Sequence, residues 1–252
     1  MKRRLLVLLL LLTGCSARAA TEQGGPLLVA AASDLGPAFT ELGQVYEQET
    51  GRAVTFTFGS SGQLSQQIVN GAPFEVFASA SATFVDDVVK AGQADVATVA
   101  DYALGRIVVW TRGDAGPQAS LADLVQPRFR RIAVANPEHA PYGVAAVEAL
   151  QGAGVYDRVR SRLVYGENVS DTLRLASSGN ADVAIVALSL ATVEDGGRFT
   201  EVPAAAHRPL RQALVVTAEG GRAGAAEDFA ELVVSEPGRA VLARYGFAPP
   251  EG

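Results

Sequence analysis

An α/β fold with mostly parallel sheets flanked by helices is the class this sequence predicts, and three observations predict it. Short runs of β-strand character alternate with stretches of helical spacing along most of the chain. The connections that follow the strand-like runs pass straight into helices. The composition supplies a core: 48% of the 252 residues are hydrophobic and 19% charged. That balance excludes a disordered chain and allows one large domain or two of ordinary size.

The elements follow in order. Residues 27–32 form a short apolar run ending at Ser33, and Leu35, Phe39, Leu42 and Tyr46 then recur at helical spacing until Gly51. Residues 54–58 alternate β-branched and aromatic side chains and predict a strand. Residues 63–70 predict a short helix, 75–78 a buried strand, 83–91 a helix stopped by Gly92, and 106–111 a strand. Ser120-Leu121-Ala122-Asp123 resembles a capping box with Asp in place of Glu or Gln. Strands are expected at 132–135, 162–165, 182–188 and 211–217, and helices at 144–150 and 171–178. Helices at 225–234 and 238–244 close the chain.

The first residues form a separate unit. Lys2, Arg3 and Arg4 precede an unbroken apolar run, Leu5 to Leu12, the pattern of a secretory signal. The run is too short for a mature membrane-spanning helix, which needs about 20 apolar residues. Leu12-Thr13-Gly14-Cys15 resembles the lipobox of bacterial lipoproteins and holds the only cysteine of the chain. Residues 1–14 are therefore expected to be a lipoprotein signal peptide, Cys15 the lipidated residue, and 15–25 a small, polar tether. A periplasmic or cell-surface lipoprotein is the expected product. Loss of Lys2, Arg3 and Arg4 takes the formal charge from −6 to −9.

Charge and composition exclude several functions. With 21 basic and 27 acidic side chains the protein lacks the electrostatic footprint of a nucleic-acid binder. One cysteine excludes an internal disulfide and any multi-cysteine zinc site. His139 and His207 are too few for a histidine-rich centre, so no metal cation and no cofactor are expected. Glu138, Glu167 and Asp171 are expected to be helix-dipole partners.

In parallel α/β folds, ligands bind outside the carboxyl ends of the strands. The loops there are Ala32-Ser33-Asp34, Gly59-Ser60-Ser61-Gly62, Asn136 to Gly143, and Gly166-Glu167-Asn168-Val169-Ser170. None holds a basic side chain other than His139. Each leads into a helix, whose first N–H groups lack partners and carry about half a positive charge. Several such starts aimed at one point make an anion site without lysine or arginine.

All four of these loops carry a recognisable pattern. Ala30-Ala31-Ala32-Ser33-Asp34-Leu35 and Phe58-Gly59-Ser60-Ser61-Gly62-Gln63-Leu64 resemble the first two binding loops of the molybdate-binding proteins, the substrate receptors of bacterial molybdate ABC importers. Gly71-Ala72-Pro73-Phe74-Glu75-Val76-Phe77-Ala78-Ser79-Ala80 is similar to the family's continuation. Asn136-Pro137-Glu138-His139-Ala140-Pro141-Tyr142-Gly143 resembles its third loop and Gly166-Glu167-Asn168-Val169 its fourth. Arg244-Tyr245-Gly246-Phe247 resembles its terminal helix ending.

The resemblance implies a two-lobed type II periplasmic-binding-protein fold that clamps an oxyanion in the interlobe cleft. Lobe one would hold residues 26–105 and 211–252, lobe two residues 106–210. Carried over position by position, Ser33 and Ser61 would donate hydroxyl and main-chain N–H bonds, Tyr142 its phenol or N–H, and Val169 its N–H. In some members a tyrosine follows the Ile-Val pair of a late strand. Here Ala187 follows Ile185-Val186, so the phenol would come from Tyr142 and Ala187 would keep a main-chain contact at most. Asp34 is a further candidate ligand, although its expected place is a helix's first turn, facing away from the anion, where a carboxylate suits the dipole. The ligand would be molybdate, with tungstate of nearly the same size and charge. The partner would be a membrane permease, and the receptor a monomer.

Two alternatives stand beside this reading. A receptor for sulfate or phosphate would use the same loops. Hydrogen phosphate needs an acceptor, which Asp34 can supply. A secreted serine hydrolase would need a nucleophile, base and orienting acid. Gly59-Ser60-Ser61-Gly62 is not the Gly-x-Ser-x-Gly elbow, and His139 lies among prolines, where a loop-packing or surface role is expected. The protein is accordingly expected not to be an enzyme.

Overall fold

A computed structural model describes residues 25–114, 116, 118–220 and 224–250. The signal segment and Cys15 lie outside the described residues. Among the described residues no helix is long and apolar enough to cross a membrane.

Two five-stranded sheets form the frame. In the first, β1 (Leu27–Ala32) lies between β2 (Val54–Gly59) and β3 (Val76–Ser79), parallel to both. Beyond β3 follow β10 (Leu210–Val216) and the edge strand β4 (Ala100–Gly105). In the second sheet β6 (Ile132–Ala135) lies between β7 (Leu163–Gly166) and β8 (Val183–Ala187), again parallel to both. Beyond β8 follow β5 (Ile107–Arg112) and the edge strand β9 (Gly197–Glu201).

The expected mostly parallel sheets are in fact mixed. β10 runs antiparallel to β3 and β4, and β5 antiparallel to β8 and β9. These are the strands by which the chain enters one sheet from the other. They do not end a strand-helix-strand unit, so no crossover helix imposes parallel pairing on them. The chain passes between sheets at Arg106 and again between Glu201 and Leu210.

Helices cover both sheets. On the first, α1 (Gly36–Thr50) buries Phe39, Leu42 and Tyr46, which answers the spacing seen in the sequence. Phe39, Tyr46, Phe56 and Phe229 pack with ring centroids 5.5–6.0 Å apart. Phe229 comes from α8 (Ala225–Val234), followed by α9 (Glu236–Arg244). Opposite, α2 (Ser61–Val69) and α3 (Ala82–Lys90) enclose Leu64, Ile68, Val85 and Val88 with Ala30 and Phe77. The second sheet carries α4 (Pro141–Gly152), α5 (Tyr156–Val159), α6 (Val169–Ser177) and α7 (Leu188–Ala191). Burial of β1, β3, β6 and β8 on both faces accounts for their nearly unbroken apolar sequences.

Candidate functional site

The carboxyl ends of β1 and β2 meet those of β6 and β7 around a small cavity of about 10 Å³, room for the centre of one water-sized solute. Ser33, Asp34, Ser61, Tyr142 and Val169 all line it, with Ser60, Ala140 and Asn168 among their neighbours. No lysine or arginine does. Ala187 is not among the lining residues. It lies at the end of β8, opposite Ile107 in the antiparallel pair, and two residues on, the Ser189 hydroxyl donates to the Asp34 carbonyl at 2.8 Å. A main-chain contact from Ala187 to the ligand stays an expectation.

Both predicted serines are held with their donors free. Ser33 Oγ accepts the Ser170 N–H at 3.3 Å, and Ser61 Oγ accepts the Ala80 N–H at 3.0 Å. A hydroxyl that accepts from the main chain retains its proton for another partner. Ser61 and Val169 open α2 and α6, and Tyr142 lies in the first turn of α4. Their N–H groups have no intrahelical acceptor, and three helix starts converge on one point.

Asp34 does not face away. Ser33, Asp34 and Leu35 form a 3-10 turn ahead of α1, and all three are buried. Because the turn intervenes, Asp34 is not on the outer face of the α-helix. Its Oδ2 accepts the Tyr142 hydroxyl at 2.9 Å and Gln212 Nε2 at 2.7 Å. Gln212 Nε2 also donates to the Tyr142 hydroxyl at 3.1 Å, and Gln212 Oε1 accepts the Tyr102 hydroxyl at 2.8 Å. Asp34 Oδ1 is buried with no hydrogen-bond partner. Burial raises the Asp34 carboxyl from 3.8 to about 6, against the lowering effect of the Gln212 and Tyr142 hydrogen bonds. Burial, and then the charge of Asp34, holds the Tyr142 phenol well above its ordinary value.

Gln212 and Tyr102 were not singled out from the sequence. A glutamine inside the apolar run of β10 is the signal that marks the first. The register of β10 against β4 shifts between Gln212 and Ala213, and such bulges re-aim side chains.

Further bonds cross from one sheet's loops to the other's. The Ser60 hydroxyl donates to the His139 carbonyl at 2.5 Å and lies 2.8 Å from His139 Nδ1. With that proton on the carbonyl, the ring offers Nδ1–H to Ser60 Oγ. The Gly62 N–H donates to the same His139 carbonyl at 2.9 Å. The Ser170 hydroxyl donates to the Ser33 carbonyl at 3.0 Å. His139 thus packs the loop, as expected, and closes it against α2.

A wider groove of about 460 Å³ beside the site contains Arg208 and Arg211. Both are already paired, Arg208 with Glu148 and Arg211 with Asp101. Among the described residues no cluster of His, Cys, Asp and Glu is suited to hold a metal ion.

Comparison with known proteins places the chain among solute receptors. Residues 27–248 match the family described as bacterial extracellular solute-binding protein. The chain is 33% identical over 223 residues to the molybdate-binding protein ModA of Rhodobacter capsulatus, with 88% of each chain covered. It is 29% identical to the putative ABC transporter substrate-binding lipoprotein YvgL of Bacillus subtilis, covering 94% of this chain and 92% of that one. Among solved structures, the periplasmic molybdate-binding protein of Azotobacter vinelandii superimposes with a TM-score of 0.81 at 30% identity, over 89% of this chain and all of that one.

Proposed function

The chain belongs to the bacterial extracellular solute-binding protein family, and from that premise we propose that it captures molybdate outside the cytoplasmic membrane and delivers it to an ABC importer. The observation that carries the reading is the small cavity between the two sheets, partly open to solvent, lined by hydroxyls and helix starts and free of cationic side chains. The protein is a transport receptor and not an enzyme. Ser33 and Ser61 donate their hydroxyls to oxygens of the anion, Val169 its N–H, and Tyr142 its N–H. The Tyr142 phenol is committed to Asp34 and shapes the site from behind. No residue bonds to molybdenum itself, which is cargo carried as an oxyanion. Charge is balanced by helix dipoles and oriented amides.

Residues 26–105 with 211–252 form one lobe and 106–210 the other, and the two crossings act as a hinge. The supporting observation is that Asp34–Tyr142, Ser60–His139 and Ser33–Ser170 each bond across the cleft. Lipidation at Cys15 holds the receptor at the membrane as a monomer, and the lipoprotein name of the Bacillus subtilis relative supports that anchor. Tungstate is taken as a second ligand.

Thermal unfolding with molybdate, tungstate, sulfate, phosphate and nitrate in turn tests the ligand. A ligand at 100 times its dissociation constant adds about 2.7 kcal/mol. Molybdate and tungstate are expected to raise the midpoint, and the other three are not. A rise with sulfate or phosphate alone would assign the site to that anion.

A further inference from the structure

The Asp34 carboxyl poses a problem that the reading above leaves open. It is fully buried, lines the anion cavity, and has no lysine or arginine beside it. An ionised carboxylate there would face a dianion across a site with little water, where like charges repel strongly. The hydrogen bonds around it indicate how the conflict is relieved. Oδ2 is occupied by two donors, the Tyr142 hydroxyl and the Gln212 amide. The Tyr142 hydroxyl receives the other Gln212 proton, so its own proton goes to Asp34. Gln212 is oriented in turn by the Tyr102 hydroxyl on its Oε1. The network therefore leaves one position for an added proton, the unpartnered Oδ1.

We propose that Asp34 serves as a carboxylic-acid donor to the captured oxyanion, its Oδ1 taking up one proton from solvent as the dianion enters. The inference rests on the molybdate reading and adds a specificity-determining group to it. One O–H bond forms at Oδ1, that proton then bonds an anion oxygen, and nothing is oxidised or reduced. The groups facing Asp34 are consistent with this. Tyr142 from α4 and Gln212 from β10 hold Oδ2, Tyr102 from β4 acts through Gln212, and Ser189 from α7 holds the carbonyl. The two phenols are the only other titratable groups in that network, and both stay protonated because burial holds them well above their ordinary value. The elevated carboxyl value supports the same assignment. An acid at this position also selects. It donates to a fully deprotonated anion and opposes hydrogen phosphate, whose own proton would meet a second proton.

The test is calorimetric titration of the mature chain with sodium molybdate at about pH 8 in two buffers of different ionisation enthalpy, Tris and HEPES. The buffer dependence of the heat counts protons. About one proton taken up per anion is expected. The dissociation constant should then rise about tenfold per pH unit above the carboxyl's free value. Asp34→Asn is expected to bind with no proton uptake and a flat pH profile. A wild-type count below about one half, or a variant profile as steep as that of the wild type, would overturn the proposal. The wild-type count decides even if the variant does not fold. Absence of molybdate binding by folded wild-type protein would instead remove the molybdate reading, and the proposal with it. Phosphate binding without proton uptake, in place of molybdate, would make Oδ1 an acceptor and overturn both.

Discussion

The Tyr142 hydroxyl, at the start of α4, donates to Asp34 Oδ2, in the turn after β1, across 2.9 Å. The two residues lie 108 positions apart and belong to the regions of different sheets. Their bond joins the loops of the two sheets at the cavity that both residues line. The contact between the two sheets' loops therefore runs through the hydrogen bonding of one buried carboxyl.

That carboxyl gives the ligand-free protein a definite pH signature. Its value rises from 3.8 in the unfolded chain to about 6 in the folded protein. Between those values the folded state holds a proton that the unfolded chain has released, so the contribution is present below about 3.8 and lost as pH rises through about 6. Asp34→Asn removes this loss. Relative to wild type, the variant is expected to gain roughly 2–3 kcal/mol between about pH 3.5 and 7. Urea unfolding of both proteins across that range checks it, and a constant difference would place Asp34 in a more solvated setting.

Two glycines separate closure from folding. A Cβ on Gly62 would lie 2.8 Å from the His139 carbonyl oxygen, across the cleft. A Cβ on Gly143 would lie 2.1 Å from the Ala135 carbonyl oxygen, within one lobe. Gly62→Ala is expected to leave the unfolding midpoint within a few degrees of wild type. It should weaken molybdate binding about tenfold or more and hold the lobes apart in small-angle scattering. Gly143→Ala is expected to lower stability by roughly 1–3 kcal/mol, the cost of overpacking. Equal effects of the two on stability would contradict this division.

The membrane anchor has its own check. Mass spectrometry of the mature N-terminus is expected to find a diacylglyceryl group on Cys15, because several acyl chains hold firmly where one binds only marginally. A soluble product cleaved elsewhere would remove the anchor.

Much of this was legible in the sequence, for reasons that differ by element. β1, β6 and α1 combine unbroken apolar runs or clean helical spacing with a clear stop, and the structure has them where they were expected. β4 and β9 were missed. β4 mixes Asp101 with Ala100 and Ala103, and β9 is a partly exposed edge strand with Arg198 and Glu201 among its five residues. Neither offers an apolar run to read. The strand-to-helix connections that frame the cavity were legible from strand-helix alternation, and Ser33, Ser61, Tyr142 and Val169 were picked out of them by the resemblance to the molybdate-binding proteins. Gln212 and Tyr102 were not, because both act from within strands, and what brings them to Asp34 is strand order and a bulge. Asp34 was placed facing away because a helical first turn was assumed where a 3-10 turn intervenes.

The central claim is that neutral donors hold the anion, and the most direct measurement is calorimetric titration of Ser33→Ala and Ser61→Ala with molybdate beside Arg208→Ala and Arg211→Ala. Loss of a hydrogen bond to a charged partner costs about 1.5–3 kcal/mol, so each serine variant is expected to bind about ten- to a hundredfold more weakly. The arginine variants, whose guanidinium groups are already paired with Glu148 and Asp101, are expected to bind within about threefold of wild type. A folded arginine variant that lost binding while both serine variants kept it would contradict the account.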